Sequence, residues 1–419
     1  MIFDAVAVQA PLVQRLLDGL AAIGADPPGI TRDAYGHGEN AAHALIAGAG
    51  QALGMQASLD AGANLRLVWP AKHATAPPLL IGSHLDSVVR GGNFDGAAGV
   101  VAGIGAVAAL RAAGVAPARD IEVLALRCEE AVWFGLGLIG SRCLLARLPE
   151  GALDLRHART GMTLAESILA CGGDPGLLRQ GRPLRDPAGL GAYLEIHIEQ
   201  APQLVEADRP FALCLANPGN LRHPFIHITG ADAHTGLPHR FRRDAALAGA
   251  DLALELERLW LAEEAQGRPM AVTIGRFHTM AERHSLTAVA GDFELSLDLR
   301  AYDPAHLSAL EARLGVIVAE VAARRGVRIA LGPRSAAAPG MMDPGLIAAL
   351  GAAAGRCGLP APRLNSPGSH DANNFAAAGV PSAMLLVRNQ NGSHNPDEAM
   401  ETPDLMAAIT VLAEYMASG

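Results

Sequence analysis

Paired cysteines are missing from this chain. Cys128, Cys143, Cys171, Cys214 and Cys357 are scattered, odd in number and without a Cys-x-x-Cys spacing. That argues against a disulfide framework or a cysteine-held metal and points to reduced thiols in a cytoplasmic protein. Basic residues are in deficit as well: Lys and Arg total 33 against 42 Asp and Glu, a formal net charge of −9. A nucleic-acid partner, which needs a basic face, is therefore not expected. The longest apolar run, Ala97 to Leu110, is shorter than the roughly 20 residues of a membrane span. The first 24 residues carry Asp4 and Gln9 and lack a basic start leading into an apolar core, so they do not read as a signal peptide. No membrane partner is expected, and repeats and low-complexity tracts are absent.

What is present is enough apolar material for two cores. The chain has 419 residues, 50% of them hydrophobic and 18% charged, which fits a well-buried globular protein of about two domains. Helical spacing predicts helices over 10–24, 40–54, 96–113, 343–357, 372–378 and 402–418, and a hairpin over 56–69. Apolar runs at 79–83, 121–128, 192–200 and 381–387 read as buried strands. Strands alternating with helices imply an α/β domain with a mainly parallel sheet. Residues 217–331 differ in character: a strand, a helix (242–265), strands 270–278 and 292–301, a helix (305–325) and a strand (327–331). This β-α-β-β-α-β order is that of a ferredoxin-like α+β unit. The expected organisation is a discontinuous domain of residues 1–216 and 332–419 with an insertion at 217–331.

The chemistry concentrates at strand ends. The strand ending near Ser83 leads into His84-Leu-Asp86, and a glycine-rich turn then delivers Asp95 before a helix. His84 offers an imidazole nitrogen, and Asp86 is placed to accept the other ring N–H. Asp95, held between glycines, can use both oxygens and so bridge two cations. Glu129 and Glu130 follow the second strand, His197 ends the third, and His394 follows the last. Ligands of open α/β sheets collect outside the carboxyl ends of the strands. Two histidines, a bridging aspartate and one glutamate there describe a two-metal site with open positions, suited to metal-assisted hydrolysis. One of the adjacent glutamates is left to act as a base; spacing leaves open which.

The motifs His84-Leu-Asp-Ser, Gly91-Gly-Asn-Phe-Asp95-Gly, Glu129-Glu130, Glu195-Ile-His197-Ile-Glu-Gln200, Gly368-Ser-His370-Asp371 and Gly392-Ser-His394-Asn-Pro, in this order, resemble the hydantoinase/carbamoylase family of zinc-dependent amidases. That family sits in a wider clan with di-zinc aminoacylases and peptidases. The resemblance implies two divalent ions per chain, zinc by default with manganese, cobalt or nickel as substitutes. His84, Asp95 and His197 would hold one ion, and Asp95, Glu130 and His394 the other. Glu129 would be the general base and Asp86 would orient His84. His234 would stabilise an oxyanion, donated across a homodimer built through the inserted domain. Gln200 would contact the ureido or amide end of a small substrate, Arg300 its carboxylate through a forked guanidinium, and Thr287 and His370 would line the same pocket.

Three departures from the family pattern stand out. Thr287-Ala-Val-Ala-Gly291 replaces an asparagine-led turn, Glu129-Glu-Ala-Val132-Trp133-Phe replaces a more polar run, and His234-Thr-Gly-Leu replaces His-Ala-Gly-Thr. They imply an unusual substrate, with Trp133 and Val132 favouring an apolar group. The expected activity is hydrolysis of a linear C–N bond in an N-carbamoyl-L-amino acid or related ureido acid. Its rivals are an aminoacylase or dipeptidase of the same clan, and a metal-binding relative without catalysis.

Overall fold

The computed structural model describes residues 2–418, which form two compact units. One runs up to Asn217 and resumes at Met341; the other is Pro218–Gly340.

The first unit is built on an eight-stranded sheet. Its order is Arg363–Leu364, Phe211–Cys214, Ser382–Val387, Ala192–Ile198, Leu79–His84, Ile121–Leu126, Leu65–Trp69 and Gln56–Leu59. The four strands from Ser382–Val387 to Ile121–Leu126 run parallel. The hairpin Gln56–Trp69 adds antiparallel strands at one edge, and Phe211–Cys214 pairs antiparallel with Ser382–Val387 at the other. The parallel strands are buried at every position, as expected of strands covered on both faces.

Helix Ala97–Ala112 is buried from Ala97 through Leu110 because its small side chains let it lie hard against the sheet. A Cβ on Gly99 would fall 2.1 Å from the carbonyl oxygen of Ile196. Ile2–Gly24, which forms helices Ile2–Ala7 and Ala10–Gly24, is long and apolar enough to cross a membrane by length and composition alone. Its Val13, Leu16, Leu17 and Leu20 are instead buried in the core of this unit. Each such fully buried leucine stabilises the fold by about 1.5–3 kcal/mol.

The second unit has its own core. Its main strands lie in the order Met270–Thr273, Asp292–Ala301, Gly219–Thr229, Arg328–Ala330, antiparallel throughout. That is the ferredoxin-like order. Asp292–Ala301 alternates cleanly, burying Phe293, Leu295, Leu297, Leu299 and Ala301 against helices Ala245–Glu264 and Pro304–Arg325. The first of these helices begins at Ala245 rather than 242 because Asp244 caps it, accepting the backbone N–H of Leu247. The run expected as one strand over 270–278 is split into Met270–Thr273 and Phe277–Thr279. A short strand, Ser335–Ala337, pairs with Gly219–Thr229 and extends this unit past Leu331.

Candidate metal centre

The in-register parallel strands bring four chain segments to one edge. His84 ends its strand opposite Leu126, so Glu129 and Glu130 emerge beside it. His197 lies opposite Leu386, so the loop after Val387 brings in His394. Asp95 enters from the turn before helix Ala97–Ala112. At that turn Gly96 has φ +66°, and a Cβ there would lie 2.4 Å from the His84 ring. Glycine is required for the imidazole to sit where it does.

The cluster centres on Asp95. Its Oδ1 lies 3.4 Å from His84 Nε2 and 3.0 Å from His197 Nε2. Its Oδ2 lies 3.4 Å from His394 Nε2, which is 3.2 Å from Glu130 Oε1. A tetrahedral ion with metal–nitrogen distances of about 2.0–2.1 Å separates its ligands by about 3.3 Å. The observed spacings fit that separation in both groups, His84–Asp95–His197 and Asp95–Glu130–His394. The Nε2 atoms of His84 and His197 and Oε1 of Glu130 are buried and make no hydrogen bond among the described residues. Buried polar atoms without partners are costly, and here they converge on common points. The donor set fits two divalent cations sharing one carboxylate.

Charge tells the same story. Burial pushes the Glu129 carboxyl well above its usual range; His84 opposes this, and Glu130, Asp371 and Asp95 add to it. His394 is pushed up to about 11 by its contacts with Asp95 and Glu130. So many carboxylates in a dry pocket call for positive charge. The remaining imidazole nitrogens are turned away: Nδ1 of His197 donates to the carbonyl of Ile198 at 3.0 Å. Glu129 Oε2 sits 3.9 Å from His84 Nε2, at the rim of the same cluster.

Several side chains make contacts that the sequence did not specify. The principal partner of His84 Nδ1 is the backbone carbonyl of Asp86, at 3.0 Å, with the Asp86 carboxylate at 3.3 Å. That carboxylate accepts the backbone N–H groups of Glu129 and Glu130 at 3.0 and 3.2 Å. Gln200 donates its amide N–H to Asp95 Oδ2 at 2.9 Å. His370 is buried; its ring lies 4.1 Å from that of His197 and its Nε2 meets Ser366 Oγ at 2.7 Å. Burial, with His197 beside it, holds His370 well below the usual imidazole range, so it backs His197 as a neutral ring.

Trp133 corrects an expectation. Its side chain is 1% exposed, stacked on His157, with the indole N–H donated to the carbonyl of Ser87 at 3.0 Å. It belongs to a small core with Tyr35, Phe134 and Ile139 and presents no surface to a substrate. Val132, 45% exposed, is the apolar side chain left facing outward.

His234, Thr287 and Arg300 lie on the second unit. His234 is paired in register with Ala288, which brings it beside Thr287, and its Nδ1 accepts the N–H of Gly236. Arg300 is oriented by Asp298 at 3.1 Å.

Sequence reasoning passed over Ser393 and Glu398. Ser393 Oγ lies 2.6 Å from Asp95 Oδ2 and 2.9 Å from Glu398 Oε2. Glu398 Oε1 accepts the N–H groups of Phe94 and Asp95 at 2.8 and 3.2 Å. Their signal was adjacency to His394. Glu195, buried two residues before His197 on the same strand face, accepts Ser83 Oγ–H and the N–H of Ala372; period-two alternation pointed to it.

The model of peptidase family M20/M25/M40 matches residues 80–418. The chain belongs to this family. Within M20/M25/M40 it sits among the hydantoinase/carbamoylase amidases, as its motifs imply. It is 33% identical over 405 residues to an N-carbamoyl-L-amino acid amidohydrolase of Geobacillus stearothermophilus, covering 96% of each chain. It is 26% identical over 401 residues to an allantoate deiminase of Arabidopsis thaliana, covering 89% of this chain and 75% of that one. Its fold matches the crystal structure of a hydantoinase/carbamoylase family amidase from Burkholderia ambifaria with a TM-score of 0.85 at 31% identity, over 98% and 97% of the two chains.

Proposed function

We propose that this M20/M25/M40 member is an amidohydrolase that cleaves a linear C–N bond of an N-carbamoyl-L-amino acid or related ureido acid, releasing ammonia and carbon dioxide. The observation that carries this reading is Asp95, whose two oxygens each serve a different histidine-bearing donor group, with Glu129 beside them. The relatives named for ureido substrates supply the bond type.

His84, Asp95 and His197 are assigned to one ion and Asp95, Glu130 and His394 to the other, zinc by default. When bound, such a pair polarises a carbonyl and acidifies water. Glu129 takes the proton of the attacking water and delivers it to the leaving nitrogen, a role suited to a carboxylate whose burial favours proton uptake. Gln200 and Ser393 both donate to Oδ2 of Asp95, holding the shared carboxylate in one orientation. His234 is assigned to the oxyanion and Arg300, with Thr287, to the substrate carboxylate, within a cytoplasmic homodimer.

The test is ammonia release from a panel of N-carbamoyl-L-amino acids by protein loaded with Zn²⁺ or Mn²⁺. Cleavage of N-acyl amino acids or dipeptides with no ureido cleavage would replace this reading with that of an aminoacylase or dipeptidase.

A further inference from the structure

Glu39 lies in the first turn of helix His37–Ala52, ahead of the residues matched by the family model. No motif draws attention to it. Its carboxylate is nonetheless fully buried and saturated with donors. Oε2 accepts the backbone N–H of Tyr35 at 2.6 Å and Arg127 Nη1 at 2.7 Å, and Oε1 accepts the backbone N–H of Cys128 at 3.0 Å. Arg127 is fixed in turn: its Nε donates to the carbonyl of Ala63 and its backbone N–H to Asn64 Oδ1, each at 2.9 Å. The buried charge therefore has a buried, equally constrained counter-charge.

The position of Cys128 gives these bonds their meaning. Strand Ile121–Leu126 ends just before it, and Cys128 turns the chain with φ +51°, a left-handed conformation that costs a non-glycine residue about 1–2 kcal/mol. Glu129 and Glu130 come next, with their own N–H groups held by Asp86. Three successive amides thus end on two buried carboxylates that come from different parts of the chain. The carbonyls of Arg127, Cys128 and Glu129 are met by the N–H groups of Gly140, Ile139 and Leu138, so Glu39 is the side chain that holds the Cys128 N–H itself, and its loss frees that amide at the start of the turn that carries Glu129.

We propose that Glu39 is a positioning residue for Glu129: through the Cys128 N–H it holds the turn that aims the base. The inference rests on the reading of Glu129 as the general base. A misplacement of about 1 Å at a reacting group can cost 10²-fold in rate, so the effect belongs in kcat rather than in KM.

Three variants of the full-length, metal-loaded protein decide it: Glu39→Gln, Glu39→Leu combined with Arg127→Met, and Glu129→Gln. The double variant removes both buried charges together, which spares the fold the penalty of an orphaned ion. It is expected to lose at least about 30-fold in kcat, with KM within twofold and two metal ions retained. Glu39→Gln, which keeps one oxygen for the Cys128 N–H, is expected to fall between it and the parent. A folded double variant with kcat within twofold of the parent overturns the proposal, and so does one that loses its metal in step with its activity. If the double variant does not accumulate, Glu39→Gln decides alone: lower kcat at constant KM and metal content supports the proposal, and parental kcat overturns it. Undiminished turnover in Glu129→Gln would instead remove the base assignment, whatever the Glu39 variants do.

Discussion

The carboxylate of Asp86 accepts the backbone N–H of Glu129 at 3.0 Å and, with its other oxygen, that of Glu130 at 3.2 Å. It therefore ties the His84 strand end to the neighbouring strand end, and its own carbonyl orients the His84 ring. One residue sets the position of His84, assigned above as a ligand, relative to Glu129, assigned as the base.

Replacing Asp86 by Ala leaves two buried N–H groups unpaired, at about 1–3 kcal/mol each. Loss of such an orienting partner typically costs 10–100-fold in metal affinity or activity. Asp86→Ala is expected to show a lower Tm and a kcat reduced at least tenfold. Competition with a chromogenic chelator then reports the metal affinity, and parental values for all three would refute the assigned role.

Gly96→Ala places a methyl group 2.4 Å from the His84 ring at a backbone φ of +66°. The conformation alone costs about 1–2 kcal/mol, and the imidazole must also move. The expected outcome is a protein with a lower Tm that binds the first equivalent of Zn²⁺ more weakly, measured by isothermal titration calorimetry. Parental zinc affinity would mean that His84 is not a ligand in this orientation.

Asp371 supplies a pH test. It is buried, it accepts the hydroxyl of Ser141, and burial, reinforced by Glu195, pushes its carboxyl up to about 7 from an ordinary value of 3.8. Between those values the folded state holds a proton that the unfolded chain releases. Its contribution to stability is therefore full at low pH and is lost as pH rises through 4 to 7. Asn mimics the neutral acid without titrating. In metal-free protein, the Tm of Asp371→Asn relative to the parent should rise across this window and level off above it; a flat difference would show that Asp371 is ionised throughout.

The residues that the structure brings together in the candidate metal centre could be picked out in the sequence because the chemistry of divalent cations permits few donor types, and His84, Asp95, Glu130, His197 and His394 each stand at or beyond a strand end. The ferredoxin-like unit was legible for a similar reason, since the alternation of Asp292–Ala301 and the helical spacing around it state which faces are buried. Trp133 was misread because a bulky residue beside a ligand looks the same in sequence whether it faces a cleft or a core.

What only the tertiary structure decided is how the residues of the candidate metal centre are held. Asp86 reaches Glu129 across 43 residues, Glu39 reaches Cys128 across 89, and Glu398 reaches Asp95 across 303. In each case a side-chain carboxylate meets a backbone N–H. Every non-proline residue carries that donor, so the sequence does not mark which amide is met, and the pairing comes into being only when the strands lie in register.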